Sequence, residues 1–254
     1  MLSIAAFQAY LRRSVAPLRE VIEIAPFTLF FSRNSTEAYY NYAVPNQPLG
    51  GDLAAPLAAL RHVFAAHACQ PRFEFIAEYA PDLPAALEAH GFAEESRLQL
   101  LVCTPATLAP PAVRPDLRVV TLDQHAPAEA LRENMNVNEL GFDPNAAPVG
   151  LAEADDFRYR LGNGRMFTAY LDGQAAGAGM YTAPLDGLTE LVGIATLPEF
   201  RRRGVAAALT AHAAQEAFAH GAAAVFLSAA DAQAGRVYER VGFQPRATVV
   251  SLLG

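Results

Sequence analysis

The sequence contains no lysine, so all 19 of its basic residues are arginine. They are outnumbered by 26 acidic residues, and the net charge of −7 argues against a nucleic-acid-binding surface. The only cysteines, Cys69 and Cys103, have neither metal-site nor disulfide-framework spacing. No run approaches the roughly 18 apolar residues of a membrane helix, and Arg12 and Arg13 interrupt the N-terminal segment where a signal peptide would be apolar. We therefore expect a soluble cytoplasmic protein without nucleic-acid, membrane or metal partners.

What is present is a composition typical of a folded chain, with 52% hydrophobic and 18% charged residues among 254. That length suits one large domain or two small ones. The segment TPATLAPPAVRPD, residues 104–116, is rich in proline, which stops helices and central strands. We interpret it as a linker between a first domain, 1–103, and a second domain, 117–254.

The second half alternates predicted strands and helices. Strands are expected at 117–122, 190–197, 223–228 and 246–253, with a hairpin at 166–183 that turns at Asp172 and Gly173. Helices are expected at 127–140, at 205–219 up to Gly221, and at 232–241 up to Gly242. A loop rich in Asp, Pro and Asn follows the first of these helices. The order indicates a mixed sheet with helices on its faces.

The segment RRRGVA, residues 201–206, places three arginines at the start of a predicted helix. Cations there are unfavourable because the helix dipole is positive at that end. An anion would reverse this, since it satisfies the free backbone N–H groups and pairs with the arginines. Gly204 permits the tight turn that such a loop needs. The open alternative is a solvated basic cluster that Glu199 partly neutralises.

This loop resembles the R/Q-x-x-G-x-G/A loop of the GNAT acetyltransferases. The segment SAADAQAGRVYERVGF, residues 228–243, is similar to the same family's N-x-x-A-x-x-x-Y-x-x-x-G-F motif. The two motifs stand in the family's order and together span about forty residues. One departure is Asp231, where the family usually has Asn, and an ionised Asp cannot donate a hydrogen bond. The resemblance covers roughly residues 117–254.

The resemblance implies that acetyl-CoA is the cosubstrate and that a primary amine accepts the acetyl group by direct transfer. It also implies that the strand before the loop binds the pantetheine arm and that the amides of residues 202–207 bind the pyrophosphate. The expected cofactor-binding residues are Ile194, Ala195, Thr196, Arg201, Arg202, Arg203, Gly204, Val205, Ala206, Ala207, Asp231 and Ala234.

Two side chains fall at the family's catalytic positions. Tyr238 matches the general acid, and a phenol with an ordinary pKa of about 10 remains able to donate a proton at neutral pH. Its alternative is a core aromatic with a satisfied hydroxyl. Glu190 matches the general base of the histone-type branch, acting through water. Its alternatives are an exposed charge at a strand end, or a chain of waters that replaces a dedicated base.

The first half repeats the second in a degenerate form. Segments 72–102 and 223–253 both have the order strand, helix, Gly-Phe, strand. Gly91 therefore corresponds to Gly242. Leu87 is at the position that corresponds to Tyr238. In the loop QPLGGD, residues 47–52, Asp52 is at the position that corresponds to Ala206. A carboxylate would repel a pyrophosphate. The expected fold class is therefore α/β (α+β), with two GNAT-like domains that each contain a mixed, mainly antiparallel twisted sheet flanked by helices.

Three functions stay open at this level. The first is an N-acetyltransferase acting on a small-molecule or peptide amine, with 127–160 lining the acceptor. The second is a non-catalytic acyl-CoA sensor or interaction module. The third transfers a different acyl or aminoacyl group on the same fold. The acidic residues Glu153, Asp155 and Asp156 could attract a cation, although a solvated helix face is the simpler interpretation. The sequence does not specify an oligomeric state.

Overall fold

The computed structural model describes residues 2–49 and 51–254. Met1, in the expected first domain, and Gly50, in the loop QPLGGD, lie outside the described residues. Contacts divide the chain into two compact units, one formed by residues 1–100 and 246–254 and the other by residues 101–245. Within residues 2–49 and 51–254, no helix is long and apolar enough to cross a membrane.

The helices and strands follow one another in this order: α1 (Ile4–Val15), β1 (Glu20–Ile24), β2 (Phe27–Phe31), β3 (Tyr42–Pro45), α2 (Ala54–Ala66), β4 (Arg72–Ile76), α3 (Leu83–Ala89), β5 (Ala93–Cys103), β6 (Leu117–Leu122), α4 (Ala128–Phe142), α5 (Leu151–Leu161), β7 (Arg165–Leu171), β8 (Gln174–Tyr181), β9 (Leu188–Thr196), α6 (Val205–Ala219), β10 (Ala224–Ala229), α7 (Ala232–Arg240) and β11 (Gln244–Leu253). Helix α6 has the bounds that the sequence predicts, because Gly204 and Gly221 both adopt positive φ at its ends. Helix α5 has no counterpart in the sequence prediction, which assigned only a loop after α4.

The first unit is a sheet in the order β1-β2-β3-β4-β11-β5. Strands β3 and β4 are parallel, whereas β1 with β2, β2 with β3, and β4 with β11 are antiparallel. Its core is unusually aromatic, and Phe27, Phe73 and Phe92 pack edge to face. The division into domains 1–103 and 117–254 stays a prediction. By contacts, the last strand of the expected second domain packs in the sheet of the first unit.

The second unit is a sheet in the order β10-β9-β8-β7-β6, antiparallel except between β9 and β10. The predicted hairpin turn is confirmed, with φ of 51° at Asp172 and 80° at Gly173. Helix α6 covers one face and belongs to the main core cluster. Helices α4 and α5 form a second cluster with Leu122 and Met166. Both units thus have the mixed, mainly antiparallel sheet with flanking helices that the sequence predicts.

Glycine in β8 sets how closely α6 approaches the sheet. A Cβ atom on Gly177 would lie 2.7 Å from Val205 Cγ1, and one on Gly179 would lie 3.1 Å from Leu209 Cδ2, both side chains of α6. Both distances are shorter than a normal carbon–carbon contact, so a larger residue would push the helix away. The small residues of β8 therefore fix the N-terminus of α6 beside the end of β9.

Candidate functional site

Strands β9 and β10 form a fork. Their parallel pairing covers three positions, from Leu188 opposite Ala224 to Glu190 opposite Phe226. Strand β9 then continues to Thr196, paired only on its other side with β8. Because the two strands separate after Glu190, the edge of β9 that faces β10 has backbone groups available to an extended ligand.

A β-bulge shapes the open part of β9. Opposite Gly179 of β8, strand β9 has two residues, Gly193 and Ile194. Gly193 has φ of 63°, a conformation that favours glycine. The side-chain amide of Asn138 in α4 donates a hydrogen bond to the Gly193 carbonyl oxygen. Helix α4 therefore holds the bulge in place.

The N-terminus of α6 lies directly after the short turn that follows β9. Gly204 is its N-cap with φ of 84°, and the first hydrogen bond of the helix runs from Ala208 N to Gly204 O at 3.1 Å. In the part of the chain that the structure describes, the backbone amides of residues 202–207 have no hydrogen-bond partner. A run of unpartnered amides at a helix N-terminus is chemically suited to bind an anion.

Two of the three arginines in this loop anchor it to neighbouring segments. Arg201 donates to Thr196 O at 3.1 Å and to Gly141 O at 2.9 Å. Arg203 forms an ion pair with Asp172 at 3.0 Å. These contacts fix the loop to the end of α4 and to the β7–β8 turn. They give a structural reason for the two arginines that the sequence alone did not indicate.

Tyr238 on α7 is only 9% exposed. Burial, together with the charge of Asp231, raises the pKa of Tyr238 to about 12. Within the described residues its hydroxyl has no hydrogen-bond partner, and its oxygen is not among the fully buried polar atoms that lack one, so solvent reaches it. The ring packs beside Phe243, with centroids 6.3 Å apart. This phenol therefore stays protonated at neutral pH with its proton available.

Glu190 lies at the last position where β9 pairs with β10, and its side chain is half-buried. Its backbone N–H donates to Thr182 Oγ1 at 3.3 Å. The next residue, Leu191, points into the core that contains α6. Alternation then puts Glu190 on the opposite face, where Met180 packs in the α4 cluster. The carboxylate and the asparagine side chains of α4 are on the same face of the sheet.

Asp231 has a capping role in this fold. Its Oδ1 accepts a hydrogen bond from Ala234 N at 2.8 Å, which makes it the N-cap of α7. An acceptor suffices there, which explains why Asp can replace the family's usual Asn. The involvement of Asp231 and Ala234 in cofactor binding stays a prediction.

Two polar side chains of the second unit make contacts that the sequence analysis did not predict. Asn134 is buried and donates to Phe167 O at 2.8 Å and to Thr168 Oγ1 at 2.9 Å. His212 on α6 is half-buried with Nε2 2.9 Å from Thr121 Oγ1, and burial lowers its pKa. Within residues 2–49 and 51–254, no cluster of three or more His, Cys, Asp or Glu side chains could hold a metal ion.

The acidic residues of α5 form a solvated face. Glu153, Asp155 and Asp156 are exposed, and Asp155 pairs with Arg158 at 2.6 Å.

The first unit repeats the elements of this site with different side chains. In α3, Phe92 N donates to Leu87 O at 3.1 Å, as Phe243 N donates to Tyr238 O at 3.1 Å after α7. Leu87 therefore occupies the position of the phenol and is fully buried. The corresponding parallel pair, β3 and β4, meets at a single described position.

At the start of α2, Asp52 Oδ1 accepts from Ala54 N at 2.9 Å, so a carboxylate of the chain itself occupies the helix N-terminus. The sequence alignment of Asp52 with Ala206 is shifted. Counted from the N-caps Leu53 and Gly204, Asp52 stands opposite Arg203.

Comparison with known proteins agrees with this geometry. A family model described as "Acetyltransferase (GNAT) family" matches residues 134–243. A solved GCN5-related N-acetyltransferase from Kribbella flavida is 26% identical, with a TM-score of 0.82, over 100% of this chain and 96% of that chain. No curated protein matches the chain.

Two more distant structures share the fold. A tandem GNAT protein from the clavulanic acid biosynthesis pathway has 18% identity and a TM-score of 0.66, over 90% of this chain and 78% of that chain. A GCN5-related N-acetyltransferase from Sphaerobacter thermophilus has 14% identity and a TM-score of 0.68, over 90% and 76%. The fork, the unpartnered amides of residues 202–207 and the match of residues 134–243 to the family model all agree with a GNAT-like fold in the second unit.

Proposed function

We propose that the second unit is an N-acetyltransferase that transfers an acetyl group directly from acetyl-CoA to a primary amine in a ternary complex. The observation that carries the proposal is the fork of β9 and β10, which opens directly before the unpartnered amides of residues 202–207. An extended polar arm that ends in a diphosphate matches these two features. The match of residues 134–243 to the GNAT family model supports acyl transfer in general, and the acetyl group and the amine are the proposal's own additions.

The residues that would hold the cosubstrate follow from this match. The amides of residues 202–207 would bind the diphosphate, with Gly204 allowing its close approach. The backbone of Ile194, Ala195 and Thr196, on the open edge of β9, would bind the pantetheine arm. Acetyl-CoA supplies the acyl group as a thioester. The remaining chemistry requires a proton donor, a proton acceptor and a bound amine.

Tyr238 is proposed as the general acid that protonates the departing thiolate. Its pKa of about 12 keeps the proton on the phenol at neutral pH, and its unpartnered hydroxyl leaves that proton free to be donated. Glu190 is proposed as the general base, which accepts the proton of the amine through water. Its position at the point where β9 separates from β10 supports this role. A water chain without a dedicated base remains the alternative for that step.

The acceptor is proposed to bind on the α4 side of the sheet, where Glu190 lies. Helix α4 packs against β9 there, since Asn138 bonds to Gly193 and a Cβ on Gly141 would lie 2.7 Å from Ala195 Cβ. Helix α5 packs against α4 and extends this wall. We expect a small-molecule or peptide amine as the acceptor.

Release of the CoA thiol from acetyl-CoA in the presence of a panel of amines tests the proposal. Tyr238→Phe should lower turnover by about a hundredfold or more while the calorimetric affinity for acetyl-CoA stays unchanged. Tyr181→Phe is the matched control, because Tyr181 is also a buried tyrosine of the same core. Tight CoA binding without turnover on any amine would contradict the proposal.

The second candidate is a non-catalytic acyl-CoA sensor. It is favoured by the first unit, where Leu87 replaces the phenol and Asp52 occupies the helix N-terminus. We propose that this unit has lost cofactor binding and serves a structural purpose. A sensor would bind acetyl-CoA and give no thiol release in either the wild type or Tyr238→Phe.

A further inference from the structure

A cavity of about 310 Å³ lies between the arginine-rich loop and α7. Its lining residues are Arg202, Gln233, Arg236, Val237 and Arg240. The four residues from α7 recur at intervals of three and four, so they form one stripe of that helix. Three of the five lining side chains are guanidinium groups, although the whole chain carries a net charge of −7.

No acidic side chain among the described residues pairs with these three arginines. Among the described residues, Arg202, Arg236 and Arg240 form no ion pair and no hydrogen bond. The two remaining arginines of the loop, Arg201 and Arg203, are occupied with backbone carbonyl groups and with an aspartate. Like charges that converge on a cavity without counter-charges indicate a site for an anion.

The backbone of Arg202 connects the cavity with the arginine-rich loop. Its φ of 61° lies in the left-handed region, which residues other than glycine rarely adopt. Such strain persists where the surrounding structure imposes it, and it concentrates at ligand sites. Arg202 also belongs to the run of unpartnered amides. One residue therefore offers its amide to the first anion site and its side chain to the cavity.

We propose that this arginine pocket binds the 3′-phosphate of CoA and makes the protein select CoA over 3′-dephospho-CoA. The inference rests on the proposed function. CoA carries a third phosphate on the ribose that bears its 5′-diphosphate. A group that recognises it must lie beside the diphosphate-binding loop, and Arg202 joins the two sites. Arg236 and Arg240 act as the specificity-determining residues for that phosphate.

Calorimetry with CoA and with 3′-dephospho-CoA tests this in the wild type, Arg236→Gln and Arg240→Gln. The wild type should bind CoA about tenfold more tightly, the equivalent of one good charged hydrogen bond. Each variant should lose most of that ratio by weakening CoA alone. Arg33→Gln is the control, because Arg33 is an exposed arginine of the first unit and its loss changes the net charge equally.

The outcomes separate the two proposals. Equal affinity of the wild type for both ligands, with turnover intact, overturns the arginine pocket and leaves the acetyltransferase proposal standing. Equal weakening of both ligands in the variants also overturns the pocket, because the arginines then contact a part that the ligands share. Absence of binding of either ligand to the wild type overturns both proposals. Unchanged unfolding midpoints of the variants exclude loss of fold as the cause.

Discussion

The side-chain amide of Asn138 on α4 donates a hydrogen bond to the carbonyl oxygen of Gly193, the positive-φ residue of the bulge in β9. This one contact joins the proposed acceptor wall to the strand that would bind the cosubstrate. The bulge also reverses the alternation of β9, since Leu191 packs with α6 and Ala195 contacts α4. The geometry of the fork therefore depends on a residue that is distant from it in sequence.

Replacement of Asn138 by Ala should lower the free energy of unfolding by about 1 kcal/mol, the usual value for one hydrogen bond, and should also lower kcat/KM. Denaturant unfolding and thiol-release kinetics measure the two effects. Asn136→Ala is the matched control on the same helix, because Asn136 accepts from Val149 N at 2.8 Å, away from β9. Equal kinetic losses in the two variants would show that the bulge contact has no special role.

Replacement of Gly204 by Ala should destabilise the fold by about 1 kcal/mol, because a left-handed backbone is strained for a residue with a Cβ. The added methyl has room, since its nearest contact is Arg114 Nη1 at 3.6 Å. Gly221→Ala, with φ of 89° and open space, should cost a similar amount at the other end of α6. Only Gly204→Ala should weaken acetyl-CoA binding in calorimetry, and equal affinities of the two variants would contradict the proposed diphosphate site.

The stability of the protein should fall between about pH 10 and pH 12, in part through Tyr238. Its folded pKa is raised to about 12 from 10.0, so the folded state keeps a proton that the unfolded state releases in this range. The unfolded state then binds fewer protons, and the free energy of unfolding decreases as pH rises. Unfolding at pH 9 and pH 11 should show a smaller decrease in Tyr238→Phe than in the wild type. An identical decrease in both would mean that Tyr238 is not buried as described.

Local sequence signals predicted the second unit well. Helix α6 is bounded by two glycines, and the β7–β8 turn by Asp172 and Gly173, so short-range chemistry fixes these elements. Strand β9 and the arginine-rich loop after it also lie where the sequence predicts them. The parallel between Leu87 and Tyr238 was also visible in the sequence, because both precede a Gly-Phe pair by the same spacing.

Long-range relationships could not be predicted in this way. The pairing of β11 with β4 joins residues between 173 and 181 positions apart, and no local pattern specifies it. The contact of Asn138 with Gly193 depends on how α4 packs, and Asn in a helix gives no signal of its partner. Arg236 and Arg240 were visible as two arginines four apart on α7. Their convergence with Arg202 on one cavity requires the fold.

The amides of residues 202–207 are proposed to bind the diphosphate of the cosubstrate. Calorimetric titration of acetyl-CoA into the wild type and into Ala206→Asp tests this most directly. Aspartate at this second helical position suits the helix dipole and should leave the fold intact. Its charge should repel a diphosphate by about 2 to 4 kcal/mol, a loss of at least about thirtyfold in affinity. Ala55→Asp, at the same position of α2 in the first unit, is the control. The account predicts that the wild type and Ala55→Asp bind acetyl-CoA and that Ala206→Asp does not. Absence of binding by the wild type, or equal affinity in all three proteins, would contradict it.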